Sequence, residues 1–139
     1  MSYGAGVALQ AAVYQHLRAD AALADLVGDA IYDAMPVEAP SGVFVSLGPE
    51  EARDASDATA RGSRHDFVIS VMAGSDSGAG FGAVKAAAVA VADALEAGGL
   101  VLSRGRLAGM WFLRASARRV KSGAARQVDL TFRARIDLT

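Results

Sequence analysis

Hydrophobic residues are spaced along the chain in two ways, one typical of strands and the other typical of helices. Asp66–Met72 is rich in β-branched and aromatic residues, which predicts a strand, and the glycine-rich segment 74–80 interrupts it. Apolar residues then recur three and four positions apart, which predicts one buried stripe on an alanine-rich helix: Phe81, Val84, Ala88, Val91 and Leu95. Ser75, Asp76 and Ser77 are expected to cap this helix, and Gly98 and Gly99 to end it.

Further elements are predicted on either side of this central unit. Ala5–Arg18 has apolar residues four apart, which predicts a helix, and Asp20 is expected to cap a short helical turn over Ala21–Val27. Extended segments are predicted at Ile31–Asp33, at Val43–Leu47, and in a long hairpin formed by Met110–Val120 and Arg126–Leu138 around a turn at 121–124.

These elements predict an α+β fold. An antiparallel sheet of about four strands carries the N-terminal helix and the long alanine-rich helix on one face. The length of 139 residues suits a single domain over residues 1–139.

Alternation along the hairpin assigns residues to the two faces of the sheet. The last strand places Val128, Leu130, Phe132, Ala134, Ile136 and Leu138 toward the helices. Its partner strand is expected to place Trp111, Leu113, Ala115 and Ala117 inward, with Met110 and Phe112 on the second face.

That second face is predicted to be a subunit or partner interface, with an apolar centre and an arginine-rich rim. Its residues are Phe44, Val68, Met72, Phe112, Arg114, Arg118, Arg133 and Arg135. The alternative is a solvated face with cross-strand ion pairs and a few exposed apolar groups.

Residues 48–64 have a different composition, because no large apolar side chain occurs among them. Such a segment cannot offset the entropy of ordering by burial. We therefore expect a long mobile loop at about 48–64 that becomes ordered against a partner through its charged residues: Glu50, Glu51, Arg53, Asp54, Asp57, Arg61 and Arg64.

Composition excludes several functions. The chain has no cysteine, which excludes disulfides and thiol catalysis, and its formal net charge of −1 gives no overall attraction for nucleic acid. No apolar run approaches the roughly 20 residues of a membrane span, so no membrane partner is expected. Basic residues do cluster at the hairpin tip, where non-specific contact with DNA is one interpretation: Arg118, Arg119, Lys121 and Arg126.

Little in the sequence indicates catalysis, a cofactor or a metal. The glycines at 78, 80 and 82 lack the spacing and the second strand of a dinucleotide loop, although a small ligand-binding domain using Gly74–Gly82 stays an alternative. Neither histidine is paired in sequence with a serine and an acid, and His65 is expected to form a surface pair with Asp66. The acidic residues of 50–57 match no calcium loop.

The order of these elements resembles a known family. The resemblance is based on these segments, in order: Leu9–Asp20, Ala21–Val27, and Ile31-Tyr-Asp33 followed by a proline and Val43-Phe-Val45. A polar loop, a strand, a glycine break, an alanine-rich helix ending Ala92-Asp-Ala-Leu95, and a closing hairpin then follow. In these features the chain is similar to the tail-completion proteins of long-tailed phages, also called tail terminators or head–tail joining proteins.

The resemblance implies a structural virion protein without cofactors. It implies a hexameric ring at the tail–head junction, assembled in the bacterial cytoplasm, that caps the tail tube, stops tube polymerisation and joins the tail to the head connector. Another neck or minor tail component is the alternative. The frequent alanine and the preference for arginine over lysine indicate a GC-rich source genome, which is compatible with a prophage or a gene transfer particle in a bacterial genome.

Overall fold

The computed structural model describes residues 3–36, 38, 40–74, 80–119 and 126–138. Along the chain the elements are α1 (Gly6–Arg18), α2 (Ala21–Val27), β1 (Ile31–Tyr32), β2 (Val43–Asp54), β3 (Gly62–Ala73), α3 (Phe81–Glu96), β4 (Arg106–Arg119) and β5 (Arg126–Asp137). The predicted helices are confirmed. Among them, none is long and apolar enough to cross a membrane.

The sheet has five strands in the order β1-β2-β3-β5-β4. The long strands pair antiparallel, but β1 runs parallel to β2, with Ile31 opposite Val45. The expected antiparallel sheet of about four strands is therefore confirmed only in outline. The short β1 was not distinguished as a paired strand, because two residues leave no alternation to detect.

The core lies between the helices and one face of the sheet. The predicted stripe of α3 is buried at Val84, Ala88, Val91 and Leu95, and α1 buries Leu9, Val13 and Leu17. The predicted inner face of β5 is confirmed at Val128, Leu130, Phe132, Ala134 and Ile136. Phe67 and Phe132 stack with ring centroids 5.8 Å apart, so the two central strands are joined in the middle of the core.

Where the helix ends are described, α2 and the C-terminal end of α3 have the capping residues predicted from the sequence. Asp20 accepts a hydrogen bond from the Leu23 N–H at 3.0 Å, so it caps α2 as predicted. Gly98 and Gly99 have φ angles of 77° and 89°, which glycine adopts without steric cost after a helix. At the other end of α3, the predicted capping residues 75–77 lie outside the described residues, and Gly80 holds the N-cap position without a side-chain hydrogen bond.

Candidate assembly interfaces

β4 is the most exposed element of the sheet. It lies at one edge, and its residues from Trp111 to Arg119 are all exposed. Trp111, Phe112 and Leu113 keep 51%, 41% and 42% of their surface exposed. A long edge strand with apolar side chains is a template on which another chain can pair, so β4 is a candidate interface.

The register of β4 corrects the predicted faces. Phe112 lies opposite Phe132 and Met110 opposite Ala134, so both are on the helix side, whereas Trp111 lies opposite Arg133 on the second face. The register shifts between Phe112 and Arg114, where Leu113 is the extra residue of a bulge. Because one inserted residue reverses the alternation, the inward assignment holds for Ala115 and Ala117 but fails for the residues before the bulge.

The predicted apolar centre of the second face is largely covered. Phe44 and Met72 lie opposite each other there, but only 2% and 9% of their surface is exposed. The Tyr32 ring packs edge-on against Phe44, with centroids 6.2 Å apart. Val68 is half-buried. These side chains therefore pack within the subunit, and the large exposed apolar groups of the sheet are on β4.

Hydrogen-bonded ion pairs cross the strands on the second face, as in the alternative interpretation. Arg133 donates two bonds to Asp66, at 2.8 and 3.0 Å, and these bonds lower the pKa of the Asp66 carboxyl and raise the pKa of Arg133. Arg135 donates to the Ala55 carbonyl at 2.8 Å. The Arg114 side chain is exposed and forms no hydrogen bond or ion pair with any described residue.

Residues 48–64 form a hairpin instead of the expected long loop. β2 continues to Asp54 and β3 begins at Gly62, with Arg53 opposite Arg64. The connection is closed by Asp57, which accepts hydrogen bonds from the N–H groups of Thr59 and Ala60, and these bonds lower its pKa. The prediction was wrong because backbone pairing orders a polar segment without burying apolar side chains.

Three arginines lie side by side on the second face of this hairpin. Arg53 is opposite Arg64, and Arg64 is opposite Arg135 on β5. Like charges at directly opposite positions are unfavourable. Glu51 relieves part of this repulsion through an ion pair with Arg53 at 2.9 Å. Asp66 also attracts Arg53 and Arg64, so the row keeps only part of its positive charge.

The predicted basic hairpin tip is only partly described. Lys121 lies outside the described residues. Arg119 is exposed, and Arg118 reaches Asp129 at 3.5 Å. Arg126 instead lies over the Phe81 ring, 5.7 Å from its centroid. Arg118 and Arg119 thus face solvent at the end of β4, while Arg126 contacts the start of α3.

Sequence reasoning missed a buried polar network beside β3. His65 is fully buried, with Nε2 2.9 Å from the Ser63 hydroxyl and Nδ1 2.9 Å from the Glu50 carboxylate. The Tyr3 hydroxyl donates to the other Glu50 oxygen, which raises the pKa of Tyr3. The expected surface pair of His65 with Asp66 was wrong, because neighbouring strand residues point to opposite faces. Ser63 and His65 lie at every second position before the apolar Phe67, and this spacing could have predicted that His65 points to the same inner face.

The network has the residue types of a catalytic triad but not its accessibility. Ser63 and His65 have no exposed surface, so a substrate cannot reach the Ser63 hydroxyl in this conformation. In the described part of the chain, no three metal-binding side chains cluster. The hydrogen bonds instead join the N-terminal segment, β2 and β3, which is a structural role.

An α+β subunit with a long exposed edge strand and arginine-rich surfaces is suited to assembly with other chains. The sequence model of the family described as tail completion protein gp17 matches residues 11–137. The chain therefore belongs to the tail completion protein family and is a structural protein of the virion tail. The predicted resemblance is confirmed.

Solved structures agree with this assignment. One similar chain comes from a structure described as the virion of a native gene transfer agent particle. It is 59% identical, with a TM-score of 0.87, over 98% of this chain and 99% of that chain. Among curated proteins no match was found.

Proposed function

We propose that this chain caps the completed tail tube as a hexameric ring, stops the addition of tube subunits and joins the tail to the head connector. The observation that carries the proposal is the full-length similarity, at 59% identity, to a chain of a gene transfer agent virion. Since nearly every residue has a counterpart there, we also propose that this chain serves in a gene transfer particle.

The exposed edge of β4 supports a ring. A closed ring needs two different complementary surfaces on each subunit, related by a rotation that closes. β4 presents the exposed side chains of Trp111, Phe112 and Leu113, which suits one of these surfaces.

The β2–β3 hairpin supports docking onto a second protein. It extends the sheet at one end and carries the row formed by Arg53, Arg64 and Arg135. An acidic surface on the tube or connector protein would relieve the repulsion within this row. The hairpin is thus the proposed docking element, with Arg61 and Asp57 in its connection.

DNA contact in the lumen of the ring is a subordinate proposal. Arg118 and Arg119 are exposed at the end of β4, and phosphate contacts of this kind need no sequence readout. Their affinity for duplex DNA would fall steeply with salt.

Native mass spectrometry with negative-stain microscopy over a concentration series tests the ring. Closed six-fold rings are expected, either of the purified chain or at the tips of tail tubes. A chain that stays monomeric in solution and leaves tube tips unoccupied would contradict the proposal.

A further inference from the structure

The two edges of the sheet carry opposite charge, except at Arg53 near the end of β2, which is paired with Glu51. From Ala19 to Ala52 the sequence has no lysine or arginine and seven acidic residues: Asp20, Asp25, Asp29, Asp33, Glu38, Glu50 and Glu51. From Leu100 to Arg126 it has no acidic residue and seven basic ones: Arg104, Arg106, Arg114, Arg118, Arg119, Lys121 and Arg126. The first segment contains β1 and most of β2, and the second contains β4. A net charge of −1 conceals this separation.

Exposed side chains carry these charges at the edges themselves. Asp29 lies two residues before β1 and Asp33 directly follows it, and both are exposed. Asp29 lies 4.0 Å from the Arg18 guanidinium, and Asp33 lies beside the Leu47–Gly48 part of β2. At the opposite edge, Arg114 and Arg119 are exposed and form no ion pair with a described residue.

We infer that the basic β4 edge of one copy binds the acidic β1–β2 edge of a second copy, head to tail. This inference rests on the ring proposed above and names the two surfaces that close it. Opposite charges on distinct edges favour this heterologous contact, because pairing two β4 edges would bring arginines together.

Strand direction is compatible with the contact. β2, β3, β5 and β4 alternate in direction across the sheet, so β4 runs antiparallel to β2. A second copy in the same orientation therefore presents its β2 antiparallel to β4. β1 covers β2 only at Val45 and Ser46, which leaves the backbone of Leu47–Asp54 for pairing along that edge.

The helix layer is also incomplete at β4. A groove opens between α3 and β4, and it is lined by Val89, Ala92, Phe112, Ala115, Ala117, Val128, Leu130 and the Lys85 side chain. At the other edge, α1 contacts β1 and α2 contacts β2. The helices of the second copy would therefore lie next to this groove and cover its apolar lining.

Charge reversal at each edge tests the inference. The basic-edge variant is Arg114→Glu with Arg119→Glu, and the acidic-edge variant is Asp29→Arg with Asp33→Arg. Glu96→Arg, exposed at the end of α3, is the matched control. Self-association is measured by sedimentation over salt concentration, and Trp111, the only tryptophan, reports burial of the β4 edge by its emission.

The expected result has three parts. The wild type and Glu96→Arg assemble, less at high salt, with a blue shift of Trp111 emission. Each edge variant assembles about tenfold more weakly or worse, because like charges then meet. An equimolar mixture of the two variants assembles again, which also shows that both are folded.

Other outcomes would overturn the inference. If both variants still form rings and Trp111 emission does not change on assembly, these two surfaces are rejected as the subunit contact, but the proposed ring is retained. Failure of the mixture to assemble would also reject the head-to-tail contact. A basic-edge variant that assembles normally but loses duplex-DNA binding would assign the arginines to DNA. A wild type that never self-associates, even on tube tips, would reject both the inference and the proposed function.

Discussion

Individual polar side chains join strands that are distant in sequence. The Asp66–Arg133 pair links β3 to β5 through two hydrogen bonds, and Glu50 links Tyr3 to His65. Neither set of bonds lies within one element. Both are therefore expected to affect global stability, each in a different way.

Asp66→Asn tests the ion pair through pH. The pKa of Asp66 is lowered in the folded protein by Arg133, so its stabilisation is present above the unfolded value of about 3.9 and is lost as pH falls through the folded value. Urea unfolding should show Asp66→Asn less stable than wild type at pH 7, with the difference closing toward pH 2. A pH-independent difference would contradict the role assigned to this pair.

Replacing His65 tests the buried network. His65→Ala should lower the free energy of unfolding by about 2–4 kcal/mol, because it leaves a cavity and removes the hydrogen-bond partner of one Glu50 oxygen and of the Ser63 hydroxyl. Ser63→Ala should cost about 1–2 kcal/mol, since one buried hydrogen bond is lost. Equal stability of His65→Ala and wild type in urea would show that the network is not structural.

At the scale of elements, hydrophobic periodicity correctly predicted the faces of strands in which inward and outward residues alternate without interruption. β5 follows a strict period of two, and its inner residues from Val128 to Ile136 were predicted correctly. β4 contains two register shifts, near Ala108 and Leu113, and a bulge has no hydrophobic signature in sequence.

The β2–β3 hairpin and the buried network around His65 were not predicted from the sequence, and the reasons are related. Glu50–Asp54 is ordered by backbone pairing with β3, which any side chain permits. Glu50 meets His65 through that pairing, over a separation of 15 positions. Contacts of this kind depend on the register of two strands, which local composition does not specify.

Gly105→Ala tests the entry into β4. Gly105 has a φ of 82°, and an added Cβ would lie 2.8 Å from the Ile136 side chain and 3.1 Å from the Asp137 carbonyl oxygen. Gly42 has a similar φ of 80° with open space around it, so Gly42→Ala is the control for backbone strain alone. Thermal unfolding should show Gly42→Ala destabilised by about 1 kcal/mol and Gly105→Ala by clearly more. Equal effects would contradict the close packing of β4 against β5.

At the scale of the whole molecule, the chain is a tail completion protein whose sheet ends in two edges of opposite charge. Its family and its place in the virion tail were predictable from element order. The opposite charge of the two edges was not predictable, because it depends on the strand order, which places β1 and β4 at opposite ends of the sheet.

Tube capping is the central claim, and elongation of tail tubes in the presence of the purified chain measures it directly. Tube subunits are polymerised with and without the chain, and the lengths and tips are recorded by electron microscopy. We predict that elongation stops and that a six-fold ring occupies one tip of each arrested tube. Tubes that keep growing at the same rate, with bare tips at saturating protein, would contradict it.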